Sequence, residues 1–244
     1  RGQLPTLRAP VRIAVHGGEV VMDDEEGEYN AEYLDTAEDE DPEVANWLPR
    51  SGKARVTYPG GSTFEGVFNG ERVKEGEGTY TWMRPPDEEG EEPEIHAKYE
   101  GSYFDGKRSG VGKMTYPNGD VYSGEWKGST MDGEGTYVYK ASNDIYSGTW
   151  VANKKHGDGM YQFGADESTL HGTWVDGAIT EGKLVFKDGT VYTGRFEEGR
   201  PIGEGAFVFP SGIAQEGHYE AVTAEDADED EPPVLFWRGD SVVS

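Results

Sequence analysis

The sequence predicts an all-β chain, an elongated array of stacked antiparallel β-hairpins with acidic loops and tails. Three observations predict it. A five-residue core, aromatic-x-Gly-x-aromatic, recurs as FEGVF (64–68), YEGSY (99–103), YSGEW (122–126), YSGTW (146–150) and YTGRF (192–196), with a variant LHGTW at 170–174. From Gly101 onward its central glycine returns every 22–24 residues. Glycine, 36 of 244 residues, disfavours helix, while an aromatic share of 12% favours strands.

Each core reads as the first strand of a hairpin. Tyr122, Gly124 and Trp126 share one face by the period of two, and Ser123 and Glu125 take the other. Weaker copies at 25–29 (EEGEY) and 215–219 (QEGHY) bracket the set. The second strand opens with Gly-x-Gly, at 76/78, 110/112, 133/135, 157/159 and 203/205. Four residues past the second glycine stand Trp82, Tyr116, Tyr139, Phe163 and Phe209. Two divergent units keep this register, Ala54 leading to Tyr58 and Gly182 to Phe186. Midway lie Val56, Tyr80, Met114, Tyr137, Tyr161, Leu184 and Phe207, again at strand period. Turn chemistry falls between units, at Pro59-Gly60-Gly61, Pro117-Asn118-Gly119, Lys187-Asp188-Gly189 and Pro210-Ser211-Gly212. Glycine inside a strand marks close approach, here of neighbouring aromatics over bare backbone.

The organisation expected is a leader at 1–24 as a candidate edge cap, an array over 25–220, and an acidic tail at 221–244 with a short apolar segment. Acidic insertions near 31–49 and 83–96 account for the two longer repeat steps. One hairpin alone is marginal in water, so the units must stack and share a sheet.

A net charge of −26 repels nucleic acid and anionic lipid, and attracts basic partners or divalent cations. With no cysteine, disulfides and thiolate metal sites are excluded, which suits a cytosolic compartment. No apolar run approaches the roughly 18 residues of a membrane span. Histidines 16, 96, 156, 171 and 218 are scattered without metal-ligand spacing, and no Ser/His/Asp grouping stands out. Phosphate cradles need a helix after the glycines, whereas strands follow here. The acidic runs Asp23–Glu28, Glu38–Glu43, Asp87–Glu94 and Glu225–Glu231 read as solvated loops and tail. The last begins like a calcium loop from Asp226 but has Glu231 in the sixth place and Trp237 in the twelfth. No catalytic residue, metal or cofactor is expected.

The consensus Y-x-G-x-W…G-x-G-x-x-x-x-P-x-G resembles the MORN repeat (membrane occupation and recognition nexus) over residues 25–220. The resemblance implies hairpins stacked in an elongated antiparallel array. A narrower likeness, to the radial spoke head proteins of motile cilia, rests on Asn153-Lys-Lys-His-Gly157, on the divergent unit at Gly172-Thr-Trp-Val175, and on Gln215-Glu-Gly-His-Tyr219. It implies a non-enzymatic scaffold in the axoneme, cytoplasmic and cytoskeletal, serving ciliary motility. Its partners would be other radial spoke head proteins, with central-pair projections facing it and homodimerisation open. Two rivals accompany it: a phospholipid-binding membrane tether, and an accessory MORN domain of a larger enzyme.

Candidate partner contacts fall in three groups. Tryptophan is a preferred interface anchor, which singles out Trp126, Trp150 and Trp174 in the aromatic rows. Basic residues at the hairpin turns, Lys107, Arg108, Lys154 and Lys155 among them, are either ordinary turn residues or a positive edge that meets an acidic partner. Phe236 and Trp237 sit in the apolar segment, which can dock on the chain's own last hairpin or on a neighbour.

Overall fold

The computed structural model describes residues 30–35, 51–58, 60–84, 93–222 and 234–243. Among these there is no helix; sixteen strands follow in sequence order in one open antiparallel sheet. The leader 1–24, the repeat copy at 25–29, His16 and most of the acidic runs lie outside the described residues.

By contact the chain forms two compact units, one holding the described residues through 143 with 150–153, the other 144–149 with those from 154 onward. The first contains β1 (Asn30–Tyr33), β2 (Gly52–Thr57), β3 (Thr63–Phe68), β4 (Lys74–Arg84), β5 (Glu94–Phe104), β6 (Lys107–Thr115), β7 (Val121–Lys127) and β8 (Thr130–Val138). The second contains most of β9 (Ile145–Val151), then β10 (Lys154–Gln162), β11 (Thr169–Val175), β12 (Ala178–Val185), β13 (Val191–Glu197), β14 (Arg200–Val208), β15 (Ala214–Val222) and β16 (Val234–Val243).

Two expected boundaries move. Strand β1 lies inside the stretch assigned to the first insertion, and Arg84 pairs with Glu94 where the second was placed, so the ladder runs further into both. The segment assigned to the acidic tail carries β16, which pairs with β15 from Ala214↔Val243 to Val222↔Val234. Alternating Leu235, Trp237 and Gly239 give that segment the same strand pattern as the rest.

Two turn types alternate. Within hairpins, Asp105-Gly106, Gly128-Ser129, Ala152-Asn153, Asp176-Gly177 and Glu198-Gly199 have positive φ at both residues, the two-residue turn that matches strand twist. Between hairpins, loops of three residues close on pairs such as Tyr116 N–H to Asp120 carbonyl (2.9 Å), with Gly119 at φ 83°, and a loop of four closes on Phe163 N–H to Ser168 carbonyl (2.9 Å).

The two glycines of Gly-x-Gly serve different ends. The first takes positive φ, as Gly110 does at 69°. The second joins a ladder of facing glycines: Gly66↔Gly78, Gly78↔Gly101, Gly101↔Gly112, Gly112↔Gly124 and Gly124↔Gly135 in the first unit. In the second unit the ladder runs from Gly159↔Gly172 to Gly217↔Gly239. The tyrosine two residues before a core glycine folds flat over that bare backbone. Its hydroxyl donates to the carbonyl three residues on, Tyr99 to Ser102 (3.1 Å), Tyr122 to Glu125 (2.9 Å) and Tyr146 to Thr149 (3.2 Å).

Candidate interaction surface

The inner side of each unit is filled by its own aromatics. Trp126, Trp150 and Trp174 donate their indole N–H to the carbonyls of Gly112 (3.2 Å), Gly135 (3.2 Å) and Gly159 (3.4 Å), each in the preceding hairpin. Edge-on contacts complete the packing, Tyr122 to Trp126 at 5.2 Å, Tyr122 to Trp150 at 5.5 Å and Tyr146 to Trp174 at 5.2 Å. At 5%, 3% and 0% exposure these three tryptophans are core residues, which corrects their reading as partner anchors. Alternation reveals a shared face; it does not reveal that the chain covers that face itself.

The positive edge also needs correction. Lys107 and Lys154 are exposed at the turns, but Arg108 and Lys155, one residue further along the strand, turn inward and are buried. Each lies over aromatic faces. The Arg108 guanidinium is 5.2 Å from the Trp126 ring and 5.7 Å from Trp82, and the Lys155 ammonium is 4.8–5.2 Å from Tyr161, Trp174 and Tyr146. Lys74 sits likewise, 4.6 Å from Tyr80. Such contacts offset part of the cost of burying a cation. The same place is held by Met131 and Ile179 in other hairpins, opposite Trp126 and Trp174.

Burial pushes the Lys155 ammonium down to about 8, with Asp144 opposing the shift. Its folded pKa lies below its unfolded value of 10.5, so below about pH 8 the buried charge costs stability, and that cost vanishes as pH rises to about 10.5. Lys155→Met is therefore expected to raise stability near pH 7 by on the order of 1–3 kcal/mol, and to leave little difference at pH 10.5. Urea denaturation of both proteins at the two pH values checks this.

Two aspartates escaped the sequence reading. Asp120, just before β7, accepts hydrogen bonds from the Tyr137 hydroxyl on β8 (2.9 Å) and from the Lys140 amide just after β8 (2.8 Å). Asp144 does the same with Tyr161 (2.6 Å) and the Gly164 amide (2.7 Å). Each carboxylate ties the loop that opens a hairpin to the far end of that hairpin's second strand. The recurring Asp-(Val/Ile)-Tyr-Ser-Gly-x-Trp was the signal available for them. Burial raises the phenol of Tyr137, and its bond to Asp120 raises it further.

Trp237 closes the second unit, donating to the Gln215 amide oxygen (3.1 Å) and packing on Phe207 at 4.8 Å and Tyr219 at 5.2 Å. Of the two docking options for this segment, the structure shows the chain's own last hairpin. Phe236, on the opposite side of β16, is half exposed at 51%, beside Val234 at 58%.

What faces outward in the first unit is a groove of about 1060 Å³ on the side away from the rings. Its floor is the glycine ladder from Gly66 to Gly124. One rim carries Val67, Glu77, Ser102 and Val111; the other carries Glu65, Thr79, Glu100, Lys113 and Ser123. Glu77 accepts from the Ser102 hydroxyl (2.5 Å), Lys53 pairs with Glu65 (3.3 Å), and Lys98 pairs with Glu100 (2.8 Å). Among the described residues no cluster of His, Cys, Asp or Glu has the arrangement of a metal site.

The family model for the MORN repeat detects repeats at residues 73–83, 99–121, 122–143, 146–165 and 192–213. The hairpin β11–β12, between two of those matches, keeps the same glycine register. A search of the curated proteins finds no match. Among solved structures the chain is similar to the TCP domain of SAS-4 (dCPAP) in complex with a proline-rich motif of Ana2 (dSTIL), from Drosophila melanogaster. That likeness has 9% identity, covers 76% of this chain and 82% of that one, and has a TM-score of 0.33, too low to carry an argument.

Proposed function

Given the MORN repeats detected in this chain, we propose that it is a non-enzymatic scaffold of the radial spoke head in motile cilia, making the protein–protein contacts on which ciliary motility depends. One observation carries the interaction reading: the aromatic side is consumed by the chain's own packing, while the other side presents a rimmed groove. The ciliary assignment is supported by the likeness of the 153–157 loop, the divergent unit at 172–175 and the closing 215–219 stretch to radial spoke head proteins. Its partners on this reading are other spoke-head proteins, with central-pair projections facing it. Cross-linking mass spectrometry on isolated axonemes tests this directly. Cross-links to spoke-head subunits support the assignment, and a cross-link set without them overturns it.

A membrane tether would need a cationic surface. Of the expected edge, which also takes in Arg72 and Arg200, Lys74, Arg108 and Lys155 turn into the aromatic core, Arg72 and Arg200 are half-buried, and Lys107 and Lys154 remain exposed. Two cations at about 1 kcal/mol each do not overcome the repulsion of a chain with net charge −26 from anionic lipid. No sedimentation with phosphatidylserine vesicles is expected at physiological salt. Salt-sensitive sedimentation that Lys107→Ser/Lys154→Ser abolishes would favour the tether instead.

A further inference from the structure

The groove has dimensions and chemistry that specify a ligand. Val67 on β3 and Val111 on β6 stand on the same rim, 37% and 68% exposed, with β4 and β5 between them. Three strand spacings of about 4.8 Å separate them by about 14 Å along the groove. In an extended peptide, side chains at i, i+2 and i+4 point the same way, and i to i+4 spans about 14 Å. A segment laid across the strands thus sets two apolar side chains on the two valines. Its residue i+2 falls midway on the same rim, at the facing Glu77–Ser102 pair, with Glu100 across the glycine floor.

That midpoint is acidic on both rims. Glu77 flanks Gly78 on the valine side and Glu100 flanks Gly101 on the other, in the registers Glu77↔Ser102 and Thr79↔Glu100. Of the lining cations, Lys53 is engaged by Glu65 at 3.3 Å and Lys113 faces Glu100 directly across β5–β6, so Glu77 is the stronger of the two anchors. The Lys98–Glu100 pair is exposed, so a ligand cation exchanges with it at little cost.

We propose that this groove binds an extended partner segment with the pattern apolar-x-(Lys or Arg)-x-apolar, its cation held between Glu77 and Glu100 and its apolar residues on Val67 and Val111. The proposal rests on the protein-interaction reading and is independent of the ciliary assignment. Net charge −26 steers such a segment in and excludes acidic ones.

The test is fluorescence anisotropy with the full chain and a fluorescein-labelled peptide containing Val-Thr-Arg-Thr-Val, set against one with Glu in place of Arg. Saturable binding of the basic peptide is expected, weakened at least about tenfold by Glu77→Lys/Glu100→Lys, the loss of about one charge-assisted contact. Val111→Ser, which leaves the charge and the ladder intact, is expected to weaken it several-fold. Glu204→Lys/Glu216→Lys, an equal charge change on the second unit, is expected to leave it within about twofold. Equal binding of the acidic peptide, equal loss in the second-unit control, or no saturation up to about 1 mM overturns the proposal. Because isolated protein is used, failure here leaves the spoke-head assignment to its own cross-linking test.

Discussion

Gly124→Ala is expected to destabilise the protein by about 3 kcal/mol or more, against the usual sense of a glycine-to-alanine change in an extended strand. A methyl there meets the Gly135 Cα at 2.5 Å, the Tyr122 hydroxyl at 2.5 Å and the Glu134 carbonyl at 2.6 Å. Two of those three obstacles are backbone of the paired strand, so no rotamer change relieves the clash. Either the strands part, which breaks the ladder, or Tyr122 lifts and surrenders its bond to the Glu125 carbonyl. Gly70→Ala is the control: only the Ser51 hydroxyl, at 3.7 Å, stands within 4 Å, and a change within about 0.5 kcal/mol is expected. Circular-dichroism melts of the two variants decide it; equal midpoints would show that the ladder does not require its glycines.

Trp174→Ala is expected to cost about 3–5 kcal/mol, the range for emptying a large buried aromatic site. The indole is fully buried, bonds the Gly159 carbonyl, and packs on Tyr146 at 5.2 Å and Tyr161 at 6.2 Å. It also forms one wall of the cage around Lys155, 5.1 Å from the ammonium, so truncation leaves a buried cation less compensated. Trp174→Phe keeps most of the ring area and loses the hydrogen bond, and about 1–2 kcal/mol is expected. Because repeat units couple chiefly to neighbours, hydrogen exchange should quicken most in β10–β12. Protection lost evenly over both units would contradict that locality.

The ladder was legible in the sequence because a glycine that returns at a fixed strand register marks a place with no room for a side chain. The turns were legible because Asp-Gly and Pro-Asn-Gly carry their own geometry. The inward turn of Arg108 and Lys155 was not legible. Adjacent basic residues such as Lys154 and Lys155 look alike in a sequence, yet the strand's alternation sends one to water and the next into the rings. The burial of the tryptophans was hidden for a related reason. A pattern of period two assigns them one face, and only the hydrogen bonds of Trp126 and Trp174 back to glycine carbonyls show the preceding hairpin as the cover. The groove could not be read at all, since its midpoint joins Glu77 and Glu100 across an insertion of no fixed length. Strand β16 was recognised as apolar but not as the last strand, because the acidic run before it broke the repeat spacing.

The place opposite each strand-closing aromatic has a consequence for how the chain finds its own register. Near-identical hairpins invite mispairing, since a neighbour's strand offers the same glycine and the same tyrosine. Yet Phe68, Tyr103, Trp126, Trp174 and Phe196 face Lys74, Arg108, Met131, Ile179 and Pro201, and only Lys155, in the second unit, repeats a residue of that set. A hairpin seated one repeat out of place would offer a cation a pocket shaped for a methyl branch, or a proline a pocket ringed to receive charge. The variable residue at an otherwise invariant motif thus acts as a molecular address, and erasing it by making every hairpin alike should multiply kinetic traps during refolding even where each native contact improves.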